Sequence, residues 1–591
     1  MSVENLITEH LDIWTSAIKT KSAAGRGSSK KLELVGVKKL RELILELAVR
    51  GKLVSQDIND EPASELLKKI ETEKARLVKE GKIKRQKPIA LIPDEEKPFV
   101  QPTGWEWEMF GNLCEIERGG SPRPINSYIT EEENGLNWIK ISDTEIGGKY
   151  ITNTVEKIRP EGLKKTRQVY PGDFLLTNSM SFGRPYITKI EGCIHDGWLR
   201  ISPPDSLDKD YLYSLLSSPY IVHSFRKSAA GAVVMNLNAD KVRDTAIALP
   251  PLKEQHRIVA KVDELMALCD QLESQTESSI QAHQLLVETL LATLSKAKDA
   301  DELFECWQRI SQHFDLLFTT QASIDKLKQT ILQLAVMGKL VKQDPNDEPA
   351  AKLLERIATE KQQLIKAGKI KKQKTLPPIT GEEKPFELST GWEWCALSEL
   401  ITVMDAGWSP ACPPEPSPNE DVWGVLKTTA VQNMEFRAYE NKTLPDNKEP
   451  KPQYEVKVGD ILITRAGPKN RVGVSCLVQE TRSRLMISDK LIRFHLINIG
   501  LSERFISLCL NAGATAEYLE SAKSGMAESQ MNISQDKLKS APVPLCPLNE
   551  QIRIISKVDE LMALCDSLKV RLNQAQITQL HFTDAIVEQK L

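Results

Sequence analysis

KVDELMALCD occupies residues 261–270, and the same ten residues return at 557–566. The residues just before each copy also agree, with PLKEQ at 251–255 and PLNEQ at 547–551. Helix composition alone does not produce identity over ten positions, so an internal repeat is the first feature to interpret.

A longer duplication lies upstream of this pair. Residues 40–87 align without a gap to residues 327–374, at an offset of 287 residues and with about two thirds of positions identical. The KVDELMALCD pair lies at an offset of 296 residues, so the second copy has gained nine residues between these anchors. The chain therefore consists of two tandem copies of one unit, at about 4–296 and 307–591.

Apolar residues at helical spacing predict helices in the segments that the copies share. The predicted helices cover residues 3–20, 37–49, 62–79 and 324–336. Gly51 and Gly338 are predicted to end the helices that precede them. The first predicted helix is interpreted as a docking element.

The returning segments that contain KVDELMALCD carry the apolar stripe of a helix packed lengthwise on another helix. A helix of about 30 residues would span about 45 Å, so antiparallel pairs could hold two domains one turn of DNA apart. Ordinary helix packing inside one compact body is the alternative.

Between the helical segments, short β-branched runs separated by Gly and Pro predict strands and turns. GDFLLT at 172–177 and GDILIT at 459–464 share the 287-residue offset, so the two inserts are predicted to have one fold despite low identity. Because the helices are nearly copied and the inserts have diverged, we expect common partners at the scaffold and different ligands at the inserts.

Composition restricts the class of protein. The 591 residues carry a net charge of -3 with 41% hydrophobic residues, which is ordinary for soluble globular proteins and gives no basic footprint over the whole chain. No apolar run approaches the roughly 20 residues that span a bilayer, and the first 20 residues do not resemble a signal peptide, so a cytoplasmic protein is expected.

The sequence contains no familiar catalytic or metal-binding motif. The ten cysteines form no CxxC pair, and neither a GxxxxGK[ST] loop nor an HExxH motif is present. The Asn-Pro-Pro-aromatic signature of adenine methyltransferases is also missing. No catalytic residue and no metal ligand are therefore predicted.

Local basic clusters lie within both inserts, and Lys and Arg can contact phosphates or guanine. A solvated surface is the alternative for each residue. The clusters consist of Lys157, Arg159, Lys164, Lys165 and Arg167 in the first insert, and of Arg465, Lys469, Arg471, Arg482 and Arg484 in the second.

Several longer motifs resemble the specificity subunits of type I restriction-modification enzymes over almost the full chain. They are PPLKEQHRIVAKVDELM at 250–266, PLNEQIRIISKVDELM at 547–562, ERGGSPRP at 117–124 with NWIKISD at 137–143, and GDFLLTNSMSFGRPYI at 172–187. The second insert departs from this pattern, with AGWSPACP and RAGPKNRVG at the corresponding places.

The resemblance implies a non-catalytic DNA reader with an α+β fold. Two target-recognition domains, one reading each half of an asymmetric interrupted site, would be separated by an antiparallel helical spacer in a pseudo-two-fold repeat. Two methyltransferase subunits and restriction subunits would be the partners. S-adenosylmethionine, ATP and Mg²⁺ would be bound by those partners and no cofactor by this chain.

The resemblance also implies a division into five segments. These are a helical partner-docking region at 1–104, a first target-recognition domain at 105–250, a central helical spacer at 251–391, a second target-recognition domain at 392–546, and a C-terminal helix at 547–591 that pairs with the spacer.

Candidate residues follow from the polar loops, the basic clusters and the repeated helix ends. For DNA binding they are Arg118, Ser121, Arg123, Lys140, Lys164, Lys165, Arg167, Asn178, Ser179, Ser181, Arg184, Trp408, Ser409, Lys427, Arg465, Lys469 and Arg471. For partner binding they are Leu47, Val49, Gly51, Leu53, Glu254, Gln255, Leu334, Val336, Gly338, Leu340, Glu550 and Gln551. Helix capping is the alternative role for the Gly, Glu and Gln residues of the second set.

Two other functions remain open at this point. One is a helical scaffold or dimerisation protein that does not bind DNA, and the other is a stand-alone nuclease or methyltransferase with a degenerate motif.

Overall fold

The computed structural model describes residues 3–21, 31–81, 83, 89–90, 92–145, 147–178, 182–229, 237–298, 300–371, 379 and 384–591. The chain divides into two compact units, Met1–Ser279 with Gln574–Leu591, and Ile280–Asn573. Each unit contains one insert together with helices of the duplicated segments. The candidates Ser179 and Ser181 lie outside the described residues, as do Met235 and Asn236, the matches to Met531 and Asn532.

The duplicated segments form helices, as predicted. The helices of the first copy before its insert are α1 (Val3–Glu9), α2 (Leu11–Ser16), α3 (Val35–Val49) and α4 (Ala63–Lys79). Between α2 and α3 lie two paired strands, β1 (Ile18–Lys21) and β2 (Lys31–Leu34).

The first insert begins and ends on two strands that pair with each other, β3 with β14. Its elements are β3 (Glu106–Met109), α5 (Phe110–Leu113), β4 (Glu115–Arg118), β5 (Ile129–Thr130), β6 (Leu136–Ile139), β7 (Tyr150–Ile151), β8 (Glu156–Ile158), β9 (Arg167–Val169), β10 (Phe174–Thr177), β11 (Pro185–Thr188), β12 (Gly192–Ile194), β13 (Trp198–Ser202), α6 (Lys209–Ser217), α7 (Pro219–Ala229), α8 (Ala239–Arg243) and β14 (Ala246–Leu249). The long helix α9 (Leu252–Lys296) follows.

The second copy repeats this order. Its helices before the insert are α10 (Ala300–Gln312), α11 (Phe314–Leu317), α12 (Gln321–Val336) and α13 (Ala350–Lys366). Its insert contains β15 (Glu393–Ala396), α14 (Leu397–Leu400), β16 (Ile401–Ala406), β17 (Gly424–Leu426), β18 (Val431–Gln432), β19 (Glu435–Phe436), β20 (Asn441–Thr443), β21 (Ile461–Thr464), β22 (Ala466–Gly467), β23 (Ser475–Leu477), β24 (Leu485–Met486), β25 (Leu491–Leu496), α15 (Glu503–Asn511), α16 (Gly513–Ser521), β26 (Met531–Asn532), α17 (Gln535–Lys539) and β27 (Pro542–Leu545). The long helix α18 (Leu548–Lys590) ends the chain.

Each insert contains its own sheet, and four strands of the two sheets correspond in order. The described strands of the first insert are ordered β4-β13-β10-β11-β7, and those of the second β16-β25-β21-β23. Their buried positions also correspond. The apolar residues at these positions can differ, because a core tolerates changes of apolar side chain when volume and pattern are kept. The corresponding pairs include Ile139 with Leu426, Val169 with Val456, Leu175 with Leu462, Ile194 with Ile487, and Trp198 with Leu491. The α+β fold and the common fold of the inserts are confirmed.

The repeated Gly-Asp motif closes the turn before the central strand of each sheet. Gly172 and Gly459 adopt positive φ of 97° and 90°. Asp173 and Asp460 each accept a backbone N–H from three residues earlier, at 2.9 and 2.8 Å. The motif persists because this turn requires a residue without Cβ and a short acceptor.

Gly51 and Gly338 end their helices in the left-handed region, with φ of 67° and 72°. A Cβ at either position would lie 3.0 Å from a ring atom of Trp105 or Trp392. The Gly in each GKLV motif is therefore required both by backbone conformation and by the close approach of a Trp.

The same tryptophans join each insert to the start of its long helix. The indole N–H of Trp105 donates to Glu254 Oε2 at 3.0 Å, and that of Trp392 donates to Glu550 Oε2 at 3.1 Å. Burial raises the pKa of both carboxyl groups, against the effect of the indole hydrogen bonds. These contacts explain why the Gly-Trp and Glu-Gln motifs are duplicated together.

The duplicated NDEPA segments also bind to the start of the long helix of their copy. Arg257 donates to Asp60 Oδ2 at 2.6 Å, and Arg553 donates to Asp347 Oδ2 at 2.6 Å. Each Asp thereby fixes the loop before α4 or α13 to the first turns of α9 or α18.

The final Asp of each KVDELMALCD copy lies opposite a cation on another helix of the same unit, α3 in the first unit and α12 in the second. Asp270 pairs with Arg41 at 2.6 Å, and Asp566 pairs with Lys328. Between copies Arg replaces Lys while the carboxylate is kept, so the ion pair is retained.

Within the second unit α12 and α18 run antiparallel. Besides the Lys328 pair, Asp325 contacts Lys569 and Gln321 contacts Asn573. The residue numbers on α18 therefore rise as those on α12 fall, as expected for antiparallel helices. The apolar cluster of this helical layer also takes in the end of α9. Its buried members are Val287, Leu291, Leu294, Ile310, Leu317, Phe318, Ile324, Leu327, Ile331, Leu334 and Cys565.

One prediction about helices was wrong. The helix predicted at 3–20 breaks into α1 and α2, and Ile18 begins a strand that pairs with β2. The long helices contain 45 and 43 residues, more than the length of about 30 used to estimate the reach of the spacer. The five-segment division stays a prediction.

Candidate nucleic-acid interface

Three loops of the first insert meet at one end of its sheet: residues 119–124 after β4, Asn178 after β10, and the turn 195–197 between β12 and β13. Gly120 N–H donates to Ile194 O at 3.2 Å, and Asn178 N–H donates to Gly197 O at 3.0 Å. A Cβ on Gly119 would lie 2.2 Å from His195 O, so only Gly allows this approach. We call this arrangement the three-loop junction.

Asp196 is the centre of the junction. Ser121 Oγ donates to Asp196 Oδ1 at 2.7 Å, and the backbone N–H of Asp196 donates back to Ser121 Oγ at 3.3 Å. The Arg123 guanidinium lies 3.5 Å from Asp196 Oδ2. Arg118 Nε and Asn178 Nδ2 donate to Asp196 O at 3.3 and 2.7 Å. Four residues predicted from the sequence therefore converge on one aspartate.

The electrostatics of the junction favour an ionised aspartate. The hydrogen bond from Ser121 lowers the pKa of Asp196 despite its partial burial, and Arg123 adds to this. Burial lowers the pKa of the adjacent His195, which favours its neutral ring. The exposed guanidiniums of Arg118 and Arg123 offset the carboxylate, so this end of the insert can accept a polyanion.

A cavity of about 1220 Å³ opens beside the junction. Ser121, Arg123, Lys140 and His195 line it together with the aromatic ring of Trp138. The Lys140 ammonium is bonded to Glu156 Oε1 at 2.6 Å within this cavity. The surroundings thus offer donors, a carboxylate and an aromatic face, which are the groups that proteins use to contact bases.

The second insert has the same junction. Trp408 N–H donates to Ile487 O at 3.0 Å, and Arg465 N–H donates to Lys490 O at 2.8 Å. Ser409 Oγ bonds to the Asp489 carboxylate, and Asp489 N–H donates back to Ser409 Oγ at 3.2 Å. A Cβ on the preceding Gly407 would lie 1.8 Å from Ile487 O.

The basic candidates of the first insert differ in availability. Arg118, Arg123, Lys164, Lys165 and Arg184 are exposed. Lys165 lies next to the junction, since a Cβ on Gly120 would approach its carbonyl oxygen to 2.7 Å.

Two candidates of the first insert are held within the fold. Arg167 is half-buried and lies 3.3 Å from Glu117, so its charge is already paired. Asn178 is held inside the fold, and the DNA contact predicted for it stays a prediction. Its side chain is 2% exposed and donates inward to Asp196 O.

In the second insert, the Trp408 ring carries the Lys451 ammonium 4.3 Å from its centroid. Lys427 follows β17 as Lys140 follows β6, each before a short helical turn. The Nε of Arg465 is buried and has no hydrogen-bond partner among the described residues.

Lys469 and Arg471 are bonded within the second insert. Lys469 lies 3.3 Å from Glu528, and Arg471 donates to Gln432 Oε1 at 2.8 Å. The structure joins Ser409 and Arg465 directly in the junction. The DNA-contact predictions for the candidates of this insert stay predictions.

Asp196 and Asp489 were not among the residues predicted from the sequence. Two signals could have identified them: GGSP at 119–122 agrees with GWSP at 407–410 in the Gly, Ser and Pro, and IHDGWLR at 194–200 agrees with ISDKLIR at 487–493 in the Ile, Asp and Arg. Both were hidden because the residues between the matches differ in size and charge.

Most partner-binding candidates are buried. Glu254 and Gln255 are 1% and 0% exposed, and Glu550 and Gln551 have the same values. Gln255 donates to Pro250 O at 2.9 Å and Gln551 to Cys546 O at 3.0 Å, so these side chains fix the helix starts. This agrees with the alternative role of these residues at the helix starts, and their contact with a partner stays a prediction.

The remaining partner-binding candidates lie around the GKLV turns. Leu340 is half-buried, and the others are buried: Leu47, Val49, Gly51, Leu53, Leu334, Val336 and Gly338. Such residues can shape the surface of the adjacent helices without touching a partner.

Comparisons with known proteins agree with this arrangement of inserts and helices. The family model described as type I restriction modification DNA specificity domain matches residues 102–282 and 390–578. The chain is 54% identical to the type I restriction enzyme EcoEI specificity subunit of Escherichia coli over 604 residues, which cover 100% of both chains. It is 41% identical to the EcoAI specificity subunit of Escherichia coli over 619 residues, which cover 100% of this chain and 99% of the relative.

A similar solved structure is the HsdS subunit from Thermoanaerobacter tengcongensis. It is 17% identical with a TM-score of 0.37, and the match covers 84% of this chain and 98% of that one. Among the described residues, no helix is long and apolar enough to cross a membrane. On the full-length identity and the two matched inserts, the chain belongs to the type I restriction enzyme specificity subunits, the family whose members recognise DNA for restriction-modification systems.

Proposed function

We propose that this chain reads an asymmetric DNA site in two separated halves, one half with each insert. The proposal rests on one observation: two inserts with four corresponding strands in the same order and the same three-loop junction carry different side chains around that junction. Arg123 in GGSPRP corresponds to Ala411 in GWSPACP, and Asn178 corresponds to Arg465. Because the first junction exposes Arg123 and the second exposes Lys490 at a different position, the two inserts would read different sequences. Family membership excludes the alternative of a scaffold without DNA binding.

Two methyltransferase subunits would bind to equivalent surfaces on α9 and α18. The KVDELMALCD copies retain exposed residues that internal packing does not explain, and chief among them are Leu268 and Leu564, which are 39% and 56% exposed. Each lies beside two exposed acidic residues one to two turns earlier, Asp263 and Glu264 or their counterparts. An identical mixed apolar and acidic stripe, present twice, fits two copies of one partner.

Catalysis would belong to the partner subunits. The chain would bind neither S-adenosylmethionine nor ATP nor Mg²⁺, and restriction subunits would join through the methyltransferases. A stand-alone nuclease or methyltransferase is the competing function. The sequence supports the partner arrangement because it lacks the motifs that bind these cofactors. A restriction-modification complex acts on cellular DNA, so we place the chain in the cytoplasm.

Methylation mapping tests the proposed function. Cells that express this chain with its methyltransferase partner are expected to carry methylated adenines in one sequence composed of two unlike halves and a fixed gap. The purified chain with S-adenosylmethionine, but without the partner, should leave the same DNA unmethylated. A continuous or palindromic methylated site, or methyl transfer by the chain alone, would contradict the proposal.

Leu268→Glu is expected to remove one of the two methyltransferase subunits from the assembled complex. A buried carboxylate at an interface core should weaken that contact by at least about 30-fold, corresponding to about 2 kcal/mol for a hot-spot residue. Native mass spectrometry of the mixed subunits should then give a ratio of one to one. Leu564→Glu should give the same ratio, and the double variant should bind none.

Leu286→Glu is the matched control, because Leu286 is 50% exposed on the same helix but lies outside the repeated stretch. It should leave two methyltransferase subunits bound. Loss of both subunits in either single variant, or in the control, would show that the stripes are not two independent docking surfaces.

A further inference from the structure

Backbone hydrogen bonds of the three-loop junction recur in the second insert. Four further backbone hydrogen bonds have counterparts, in addition to the Ser–Asp contacts. Gly120 N–H to Ile194 O matches Trp408 N–H to Ile487 O, Asn178 N–H to Gly197 O matches Arg465 N–H to Lys490 O, Trp198 N–H to His195 O matches Leu491 N–H to Ser488 O, and Leu237 N–H to Asn178 O matches Ile533 N–H to Arg465 O.

The side chains next to these bonds have diverged. Besides the differences already given, His195 is replaced by Ser488 and Gly197 by Lys490. The Ser and Asp of the junction are the polar side chains that both inserts keep, while most of their neighbours change in size or charge. Such a division separates residues that hold the loops from residues that project from them.

An ionised carboxylate at a DNA-facing surface repels phosphate, so its presence in both inserts requires a compensating role. Asp196 accepts from Ser121 and lies beside Arg123, which projects into solvent. Asp489 accepts from Ser409, and the next residue, Lys490, is exposed and bonded through its carbonyl to Arg465. Each Ser–Asp pair thus fixes the backbone from which at least one exposed cationic side chain projects.

We propose that Ser121–Asp196 and Ser409–Asp489 are positioning pairs that fix the three DNA-reading loops of their insert, and thereby determine how strictly that insert discriminates between bases. The proposal rests on the proposed function, in which each insert reads one half-site. Arg118 and Arg123 would be the reading side chains of the first junction. Lys490, a residue outside the sequence-based candidates, and Arg465 would be those of the second.

The test uses the full chain with its methyltransferase subunits and a set of duplexes. The set contains the mapped site and derivatives with one changed base pair in either half. Discrimination is the ratio of the methylation rates on the mapped and changed duplexes, measured separately for each half-site. Ser121→Ala should lower discrimination in one half-site by about three- to tenfold, as expected for the loss of one hydrogen bond that orients a charged group. Ser409→Ala should lower it in the other half-site by a similar factor.

Ser121→Thr retains the hydroxyl group and should recover most of the discrimination that Ser121→Ala loses. Asp196→Asn keeps an acceptor oxygen but removes the charge near Arg123, so it should give an intermediate loss in the same half-site. Thermal unfolding and the salt dependence of binding serve as readouts of fold and of phosphate contacts. Both should remain close to those of the unmodified complex.

Three results overturn the positioning role while leaving the proposed function intact. The first is unchanged discrimination in Ser121→Ala or in Ser409→Ala, even where the rates on mapped and changed duplexes fall by a common factor. The second is equal loss in both half-sites from one alanine variant, and the third is loss in the same half-site from both alanine variants. An unmodified complex that fails to discriminate in one of the two half-sites would instead refute the proposed function itself.

Discussion

Exchanging residues 105–250 for the corresponding insert of a relative with another specificity is expected to change one half of the methylated site and leave the other half intact. The structure supports this because β3 and β14 pair at the ends of the insert, so both joins lie at one place next to α9. Each changed base pair should cost about 1–3 kcal/mol, so a half-site with two changes loses at least about 30-fold in binding. Methylome sequencing of cells carrying the chimera measures the outcome.

The design of the chimera follows from the contacts at its ends. Trp105 donates to Glu254, so a donor insert without that Trp would leave this buried carboxylate with one side-chain donor fewer, Gln56 alone being retained. The donor segment should therefore keep Trp105. The reciprocal exchange of residues 392–546 is the matched control and should change the opposite half. A chimera that altered both halves would show that the inserts do not read independently.

The second large effect is expected from Arg493→Ala. The Arg493 guanidinium donates to both oxygens of Asp405 at 3.1 and 2.6 Å and to the carbonyl oxygens of Glu455 and Gln453 at 2.8 and 2.9 Å. It also lies 3.6 Å from Asp460, which is 1% exposed. Removing the cation takes both hydrogen bonds from the partly exposed Asp405 and the nearby guanidinium from the buried Asp460, which keeps its bonds to His495 and to the N–H of Lys457. The loss should destabilise the second insert by about 3 kcal/mol.

Arg437→Ala is the control for this variant. Arg437 makes the same two-pronged contact with Glu435, at 2.9 and 2.8 Å, but the Glu435 side chain is 57% exposed. Its loss should change the free energy of unfolding much less than the loss of Arg493, because water replaces a surface partner. Urea unfolding followed by tryptophan fluorescence gives the two free energies, and hydrogen exchange of β21 and β25 locates the effect. Equal effects of the two variants would contradict the assigned role of burial.

Arg200 in the first insert corresponds to Arg493. Its contacts show why this ion-pair network is difficult to detect in the sequence repeat. Arg200 donates to Glu115 and to Gln168 O at 3.1 and 3.0 Å and lies 3.9 Å from Asp173. The Arg, the Gly-Asp aspartate and a carboxylate opposite the Arg on the neighbouring strand were kept, since Glu117 pairs with Arg200 where Asp405 pairs with Arg493. A network across three strands cannot be read from one segment of sequence, because its members are far apart along the chain.

The helical scaffold was predictable because its signals are local. Apolar spacing and Gly stops gave α3, α4 and α12 to within three residues, and the repeat of Leu40–Lys87 showed that both copies contain them. The exception was the end of the first helix, where Ile18 also fits the helical spacing. Pairing of β1 with β2 decided that segment, and strand pairing is not local.

The candidate interface was predicted only in part. Polar loop composition led to Arg118, Ser121, Arg123 and Asn178, which the fold does bring together. Composition did not separate exposed residues from buried ones, so Asn178 was expected to read DNA although it supports the loop. The same limit applies to Glu254 and Gln255, since a first-turn residue can face either a partner or its own domain.

By itself, the sequence of this protein determined that one unit is present twice, that its helices are shared and that its inserts have one fold. Repetition and periodicity record these features directly, because each copy must satisfy the same backbone and packing requirements. Only the tertiary structure decided which polar residues meet. Ser121 and Asp196 are 75 positions apart, and Ser409 and Asp489 are 80 apart, so sheet pairing alone brings each serine to its aspartate.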